Sequence, residues 1–228
     1  MTKQTIYKKD GTLKAREELA KALQAGADPN EGGTSLHEAV IGGRKDALDL
    51  LLDFGADIDA VDGDGDTALI RACASTSINA LQRVELIERL VERGASIDHM
   101  NDRGETALFF AARFADEIPE ALPVLLRLGA DPNLENSWSR LAPIHWADSG
   151  EAVLLLLQHG ADPNTVDHSG MTAREQARLR GPDIHEAFLA WETSQSKKAL
   201  LEGLALPKMK AVPDSDPTEE KDKPKFKM

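Results

Sequence analysis

Residues 152–164 read AVLLLLQHGADPN, an apolar run followed by Gly160, Asp162 and Pro163. Leucine and valine at helical spacing form one apolar stripe, and a glycine directly after such a stripe is typical of a helix C-cap. The aspartate can hydrogen-bond nearby backbone, and the proline then holds an extended φ. The stretch therefore predicts a helix with a defined end, followed by an extended turn.

The same pattern recurs along the chain and defines a repeat. Gly26, Gly55, Gly94, Gly129 and Gly160 each follow an apolar stretch, at spacings of 29, 39, 35 and 31 residues. Each is followed by a second motif, which reads TSLH at 34, TALI at 67, TALF at 106, APIH at 142 and TARE at 172. The threonine that opens four of these motifs can supply the N-cap oxygen of a helix. The unit is predicted to be a turn, two short helices and an extended return, and such units must stack to bury their apolar faces.

These motifs resemble ankyrin repeats. The matching features are the T-x-L-H-like helix starts, the LL…G-A-D helix ends and the D-x-x-G-x-T connecting segments. The resemblance covers residues 13–192, as four full units between a shorter unit at each end. It implies an all-α solenoid whose β-hairpin fingers project from one edge. It also implies that partners bind the finger tips and the concave face formed by the first helices.

Charge and composition divide the chain into three parts. Residues 13–192 carry 16 basic and 32 acidic side chains, a net charge of −16, whereas residues 1–12 and 193–228 are each +2. We expect a basic extension (1–12), an ankyrin-repeat domain (13–192) and a C-terminal segment (193–228). The domain comprises an N-cap unit, four full repeats and a C-cap unit. Its acidity disfavours direct binding to nucleic acid and favours a basic partner protein.

The C-terminal end combines three kinds of sequence. Residues 172–193 predict a closing unit in which Phe188, Leu189 and Trp191 cover the last core face. Residues 194–208 predict a separate short amphipathic helix. Residues 209–228, rich in Pro, Lys, Asp and Glu, predict a disordered tail. A docking motif in that tail is the alternative interpretation.

Cysteine usage and hydropathy indicate the compartment. Cys73 is the single cysteine, which fits a reducing compartment. The N-terminus has no apolar run of signal-peptide length, and no segment approaches the roughly 20 apolar residues of a membrane span. We therefore expect a cytoplasmic monomer that contacts no membrane.

The units depart from the usual ankyrin period of about 33 residues. The first finger, in residues 26–37, is short, and residues 74–85 carry an insertion between two helices. Residues 114–123 are slightly long, residues 135–145 add one finger residue, and residues 146–157 shorten a helix pair. These changes fall in surface loops. They are either partner-specific features or tolerated drift in loop length.

Residues 61–70, VDGDGDTALI, place Asp62, Asp64 and Asp66 two apart, as in the start of a calcium loop. A helix–loop–helix calcium site needs glycine at position six and glutamate at position twelve. Counted from Asp62, these positions are Thr67 and Cys73, so the pattern fails. We predict turn chemistry in an acidic finger tip, with a weak adventitious cation site as the alternative, and no metal site.

The histidines and the cysteine do not form a recognisable catalytic motif. HEAVI at 37–41 lacks the second histidine of a zinc protease, and no nucleophile–base arrangement or phosphate loop is visible. The resemblance assigns His37 and His145 to hydrogen bonds between neighbouring units. A cysteine on the small-residue face of a first helix is buried and unreactive by default. We predict no catalysis and no cofactor.

Apolar residues at outward positions are the better functional candidates. Trp138 lies at the tip of the fourth finger, and Trp146 and Phe110 follow the helix-start motif by one shared offset. The resemblance places that offset toward the concave face, where Trp, Phe and Arg are typical interface anchors. Alternatively, Trp146 and Phe110 fill space between units. The predicted partner-binding residues are Glu38, Val61, Asp64, Asp66, Arg71, Met100, Phe110, Trp138, Arg140 and Trp146.

Together these observations predict a non-catalytic protein–protein interaction module. A scaffold or adaptor is the first interpretation. The alternative is a dedicated inhibitor, an antitoxin-like immunity protein that neutralises a basic toxin or nuclease.

Overall fold

The computed structural model describes residues 5–204, which contain eleven helices joined by tight turns. The helices are α1 (Arg16–Gln24), α2 (Ser35–Ile41), α3 (Lys45–Asp53), α4 (Ala68–Ala74), α5 (Ala80–Glu92), α6 (Ala107–Arg113), α7 (Ala121–Arg127), α8 (Pro143–Trp146), α9 (Gly150–Gln158), α10 (Ala173–Arg180) and α11 (Pro182–Leu204). Residues up to Trp191 form one compact unit, and a second unit begins at Glu192.

The helices of the first unit form two layers. In the first-helix layer, α2, α4, α6, α8 and α10 each pack on the next; in the second-helix layer, α1, α3, α5, α7 and α9 do the same. Within a repeat the two helices pack on each other, as in α4 with α5 and α6 with α7. This arrangement confirms the predicted all-α solenoid.

Small side chains bring the first helices close together. Ala39, Ala72, Ala111 and Ala147 occupy equivalent positions in four successive units and are fully buried. A larger side chain there would hold neighbouring helices apart, because protein interiors are close-packed. Leucines of the second helices, such as Leu51 and Leu156, complete one continuous core.

The helix starts that carry threonine follow the predicted capping, with one exception. The hydroxyl oxygens of Thr67, Thr106 and Thr172 accept hydrogen bonds from backbone N–H groups three residues ahead. Thr34 does not cap α2, because the shortened first finger gives it φ −124° and ψ 18° rather than the extended conformation of the others. At Ala142 the ring of His145 substitutes, since its Nδ1 accepts the Ala142 N–H at 3.1 Å.

The fingers close through side-chain turns rather than long strands. In the second to fifth fingers, one Asp or Asn side chain accepts backbone N–H groups ahead of it: Asp62, Asn101, Asn136 and Asp167 all do so. Single β-bridges join Val61 to Thr67 and Val166 to Thr172, and the described residues contain no extended strand. The β-hairpins implied by the resemblance are thus reduced to single bridging pairs.

The insertion between α4 and α5 is held by a buried arginine. The Arg83 guanidinium donates to the Ser75 and Ile78 carbonyl oxygens and lies 3.2 Å from Glu120 Oε1 of the next unit. The extra residues are therefore anchored within their own repeat, and Arg83 ties them to the next repeat through Glu120.

The secondary structure at both ends of the described chain differs in detail from the prediction. Residues 5–14 form a small hairpin with a Tyr7–Leu13 bridge, and Ile6 and Leu13 are buried. These two apolar side chains cover the start of the core, so the described part of the predicted extension packs on the array. Residues 182–204 form one continuous helix instead of two, because no glycine or proline interrupts it before Gly203. In the closing unit Phe188 is buried as predicted, but Leu189 is exposed. The predicted disordered tail lies outside the described residues from 205 onward.

Candidate partner-binding surface

The three aspartates of the second finger surround an arginine. Arg71 on α4 lies 2.6 Å from Asp62, 3.1 Å from Asp64 and 3.3 Å from Asp66. Arg71 is desolvated by burial, which disfavours its charged form, but the carboxylates of Asp62 and Asp66 outweigh this and raise its pKa. The predicted acidic tip is therefore an internal ion-pair network, and Arg71 is largely committed to it.

The same ion-pair network bears on whether Asp62, Asp64 and Asp66 could bind a cation. One oxygen from each of Asp62, Asp64 and Asp66 lies within 4.8 Å of the others, as a metal site would require. The guanidinium of Arg71 already occupies the space between them, so a cation would have to displace it. Asp62 Oδ1 also accepts the N–H groups of Asp64 and Asp66, which is the predicted turn chemistry.

Asp66 does not lie where a partner can touch it. It is only 4% exposed and accepts a hydrogen bond of 2.7 Å from Asn101 of the next finger. Burial raises its pKa, although Asn101 and Arg71 partly offset this effect. The prediction that Asp66 is offered at a finger tip is wrong, because stacking fingers cover it. Asp64, by contrast, is exposed.

Polar residues at the shared helix offset tie their helices to fingers. Glu38 Oε2 accepts the Leu13 N–H of the N-terminal hairpin at 3.1 Å. Burial raises the pKa of Glu38, against the opposing effects of that N–H and of Arg44. Gln176 donates to Asp167 at 2.6 Å in the last unit, just as Arg71 holds the second finger. Glu38 therefore supports the fold at the place where a partner-binding role was expected.

Two units carry an aromatic residue at this offset instead, namely Phe110 and Trp146. Together with the neighbouring Arg113 and Phe114 they form a surface that we call the aromatic patch. Phe110 stacks on Phe114 with ring centroids 6.4 Å apart. The Arg113 guanidinium lies 4.8 Å from the Trp146 ring and 5.5 Å from Phe114. Arg113 is exposed, and the three rings are half-buried. Cation–π contacts of this kind hold a flexible charge in a fixed place.

The packing of the aromatic patch supports the space-filling interpretation of Phe110 and Trp146, and the interface interpretation stays a prediction. Each ring packs on the buried Phe109, with centroids 6.0 Å and 5.7 Å away, so each fills space between units. The remaining ring surface is open to solvent, as an interface anchor requires. Arg113 and Phe114 were missed from sequence, although they follow Thr106 one helical turn beyond Phe110.

Trp138 projects from the fourth finger with 80% of its surface exposed. The turn around it is held by Asn136, whose Oδ1 accepts the Ser139 and Leu141 N–H groups. Arg140 next to it adopts a left-handed φ of 55° and lies 3.2 Å from Glu135. The indole is therefore presented by a braced turn. Val61 and Met100 are exposed on the second and third fingers, where they were expected.

A groove of about 410 Å³ continues the surface beyond Trp146, between α8 and α10. Its far wall is Arg180, whose guanidinium donates to the His145 and Trp146 carbonyl oxygens at the end of α8. Its lining includes Leu141, His145, Trp146, Gln176 and Arg180. Arg180 had no sequence signal, because its contact spans 35 residues.

The remaining candidates have structural roles. His37 Nε2 lies 2.8 Å from the Asp66 carbonyl oxygen, and His145 Nε2 lies 3.1 Å from that of Thr165. These contacts confirm the predicted hydrogen bonds between neighbouring units. Cys73 is fully buried, and burial raises its pKa to about 12. Among the described residues, no helix has both the length and the apolar character needed to cross a membrane.

Comparisons with known proteins agree with this architecture. The family described as "Ankyrin repeats (many copies)" matches residues 36–83, and "Ankyrin repeats (3 copies)" matches residues 79–167. The two stacked helical layers and the finger turns define the protein as a helical-repeat solenoid. The chain belongs to the ankyrin-repeat family, whose members generally bind other proteins and are typically non-catalytic.

Two curated proteins are similar over part of the chain. A 66-residue segment is 42% identical to "Glycerophosphocholine phosphodiesterase gde1" of Schizosaccharomyces pombe and covers 28% of this chain and 6% of that protein. A 151-residue segment is 35% identical to "B-cell lymphoma 3 protein homolog" of Mus musculus and covers 65% of this chain and 33% of that protein. The chain thus spans at most 33% of the length of either relative. So short a match to the phosphodiesterase does not carry its activity to this chain.

Proposed function

We propose that this chain binds one partner protein through the aromatic patch and Trp138, and that it acts by binding rather than by catalysis. The observation that carries the proposal is the exposed cation–π arrangement of Arg113 on Trp146 and Phe114. Aromatic and arginine side chains are enriched among residues that dominate interface energetics. Trp138 adds a rigid, exposed indole on the neighbouring finger.

Electrostatics support a basic partner. The array carries twice as many acidic as basic side chains, and the Arg71 network neutralises only part of one finger. An acidic surface accelerates encounter with a basic one, and salt screens this effect. We therefore expect the association rate to fall with increasing salt while the dissociation rate changes little.

Affinity capture with the full chain as bait tests the proposal. Proteins recovered with the natural chain are compared with those recovered by Trp138→Ala and Phe110→Ala variants. Leu81→Ala is the matched control, because Leu81 is also a large exposed apolar residue but lies on α5. Selective loss of one protein with the first two variants supports the proposal. Equal recovery by all variants contradicts it, provided that their thermal midpoints are unchanged.

The same capture separates an adaptor from a dedicated inhibitor. A single basic enzyme whose activity falls in proportion to the added chain indicates an inhibitor, and several partners without loss of activity indicate an adaptor. The one cysteine, buried and reduced, is consistent with our proposal of a cytoplasmic location. Fractionation of cells with an antibody against the chain tests that location.

A further inference from the structure

A second groove lies on the other layer of the array, between α7 and α9. Its volume is about 350 Å³. Ala115, Pro119, Leu122, Pro123, Ala152 and Leu155 supply its apolar lining, and Asp116, Ser149 and Glu151 supply its polar lining. Pro119 is exposed and Pro123 and Leu155 are half-exposed, so an apolar side chain from outside can reach them. We call this the acidic groove, because of the carboxylates described next.

Unequal loops create the acidic groove. Residues 114–120 connect α6 to α7, whereas only residues 147–149 connect α8 to α9. The longer loop carries Pro119 and makes one wall, and the first turn of α9 makes the other. These are two of the departures from the repeat period that the sequence showed.

Acidic side chains lie at this groove: Asp116 and Glu151 line it, and Glu117 directly follows Asp116 in the chain. Asp116, Glu117 and Glu151 are exposed, and none forms an ion pair with a described residue. Some other carboxylates of the second-helix layer do form ion pairs: Asp49 lies 2.5 Å from Arg89, and Glu88 lies 2.6 Å from Arg127. The three carboxylates at this groove have no such partner among the described residues.

Asp148 adds a fourth carboxylate next to the rim. Its Oδ1 is buried without a hydrogen-bond partner among the described residues, and its Oδ2 lies 3.5 Å from the Asp116 N–H. Burial raises its pKa, and the charges of Asp116 and Glu117 raise it further. Arg180 acts on it electrostatically, but its guanidinium donates to the His145 and Trp146 carbonyl oxygens. An added cation would relieve this repulsion.

We propose that the acidic groove binds a basic, apolar segment of a partner protein. A lysine or arginine of that segment lies among Asp116, Glu117 and Glu151, and an apolar side chain packs between Pro119, Pro123 and Leu155. Charge complementarity selects this occupant, because an acidic or purely apolar segment would leave the carboxylates unpaired. This site lies outside the aromatic patch and the finger tips, so it can be correct even if the proposed function is wrong.

A labelled amphipathic peptide of lysine and leucine serves as the probe, and its glutamate–leucine counterpart is the sequence control. Fluorescence anisotropy measures binding to the full chain. The test variant combines Asp116→Asn, Glu117→Gln and Glu151→Gln. Its matched control combines Glu17→Gln, Glu18→Gln and Asp46→Asn, which removes the same charge from exposed positions on α1 and α3.

We expect the test variant to bind the lysine–leucine peptide about tenfold more weakly, and the matched control to change affinity by about twofold or less. Pro119→Ser, which alters an exposed wall residue, should also weaken binding while the charge stays constant. Equal losses in both charge variants would show attraction to the general acidic field and overturn the proposal. Binding of the glutamate–leucine peptide would overturn it too, as would concentration-dependent dimerisation abolished by Pro119→Ser.

Discussion

Arg83 offers the sharpest test of how the irregular repeats are held together. Its side chain is only 3% exposed, yet it carries a charge and joins the inserted loop of one unit to Glu120 of the next. The substitution Arg83→Met keeps most of the aliphatic stem and removes the guanidinium. The Ser75 and Ile78 carbonyl oxygens then lose this donor, and Glu120 loses its cation.

The expected cost follows from these contacts. Removing one member of a buried ion pair costs about 3–5 kcal/mol. Glu120 is still 20% exposed and keeps some contact with water, so we expect the lower end, about 3 kcal/mol. For an array of this size, each kcal/mol lost from the free energy of unfolding lowers the thermal midpoint by about 2–4 °C. The loss of about 3 kcal/mol therefore predicts a fall in the thermal midpoint of about 6–12 °C.

Arg127→Met is the matched control. Arg127 also pairs with a glutamate of a neighbouring unit, Glu88, but it is 58% exposed. An exposed ion pair contributes at most about 1 kcal/mol. Urea titrations followed by circular dichroism compare both variants with the natural chain. If the two substitutions cost the same free energy, burial of Arg83 has no energetic consequence and the reasoning fails. The combined Arg83→Met and Glu120→Gln variant should lose less than the sum of the single variants.

Three further predictions concern backbone, titration and reactivity. Gly65→Ala should cost about 1–3 kcal/mol, because φ is +76° and a Cβ there meets the next finger at 2.6 Å; Gly63→Ala, which meets nothing within 4 Å, should be nearly neutral in the same urea titration. The Ser169 hydroxyl and neighbouring N–H groups lower the pKa of Asp167 to about 2, so its stabilising effect is present above pH 4 and is lost as the pH falls toward 2. Asp167→Asn should keep the turn but flatten the loss of stability over that range, and an unchanged pH profile would contradict this. Cys73, with its pKa raised to about 12 by burial, should resist iodoacetamide in the folded protein and react in urea; rapid labelling of the folded protein would count against its burial.

Much of the fold follows from short-range chemistry that the sequence displays. Apolar spacing predicted the second helices, and threonine predicted the N-caps of α4, α6 and α10. Asp62 was assigned to turn chemistry from its failure to match a calcium loop, and its backbone hydrogen bonds agree. Such features involve residues a few positions apart, so their partners are already visible in the sequence.

The functional surface was less predictable, because each candidate depends on a neighbour from another unit. Trp138 was recognised as exposed because it is a large aromatic residue in a finger motif. Asp66 was misplaced because Asn101, 35 residues away, covers it. Glu38 was expected to face a partner, but the hairpin of residues 5–14 engages it through Leu13. Position within a motif therefore did not determine exposure.

The sequence by itself determined the repeating unit, its helix ends and the acidity of the array, since these depend on residue type and local spacing. Only the tertiary structure decided which charges remain unpaired. Arg71 neutralises the acidic run of the second finger, whereas Asp116 and Glu151, which lie far apart in the sequence, line one groove without an ion-pair partner among the described residues. The physical reason is that Coulomb interactions act over distances of a few ångströms in space, and stacking sets those distances between residues of different units.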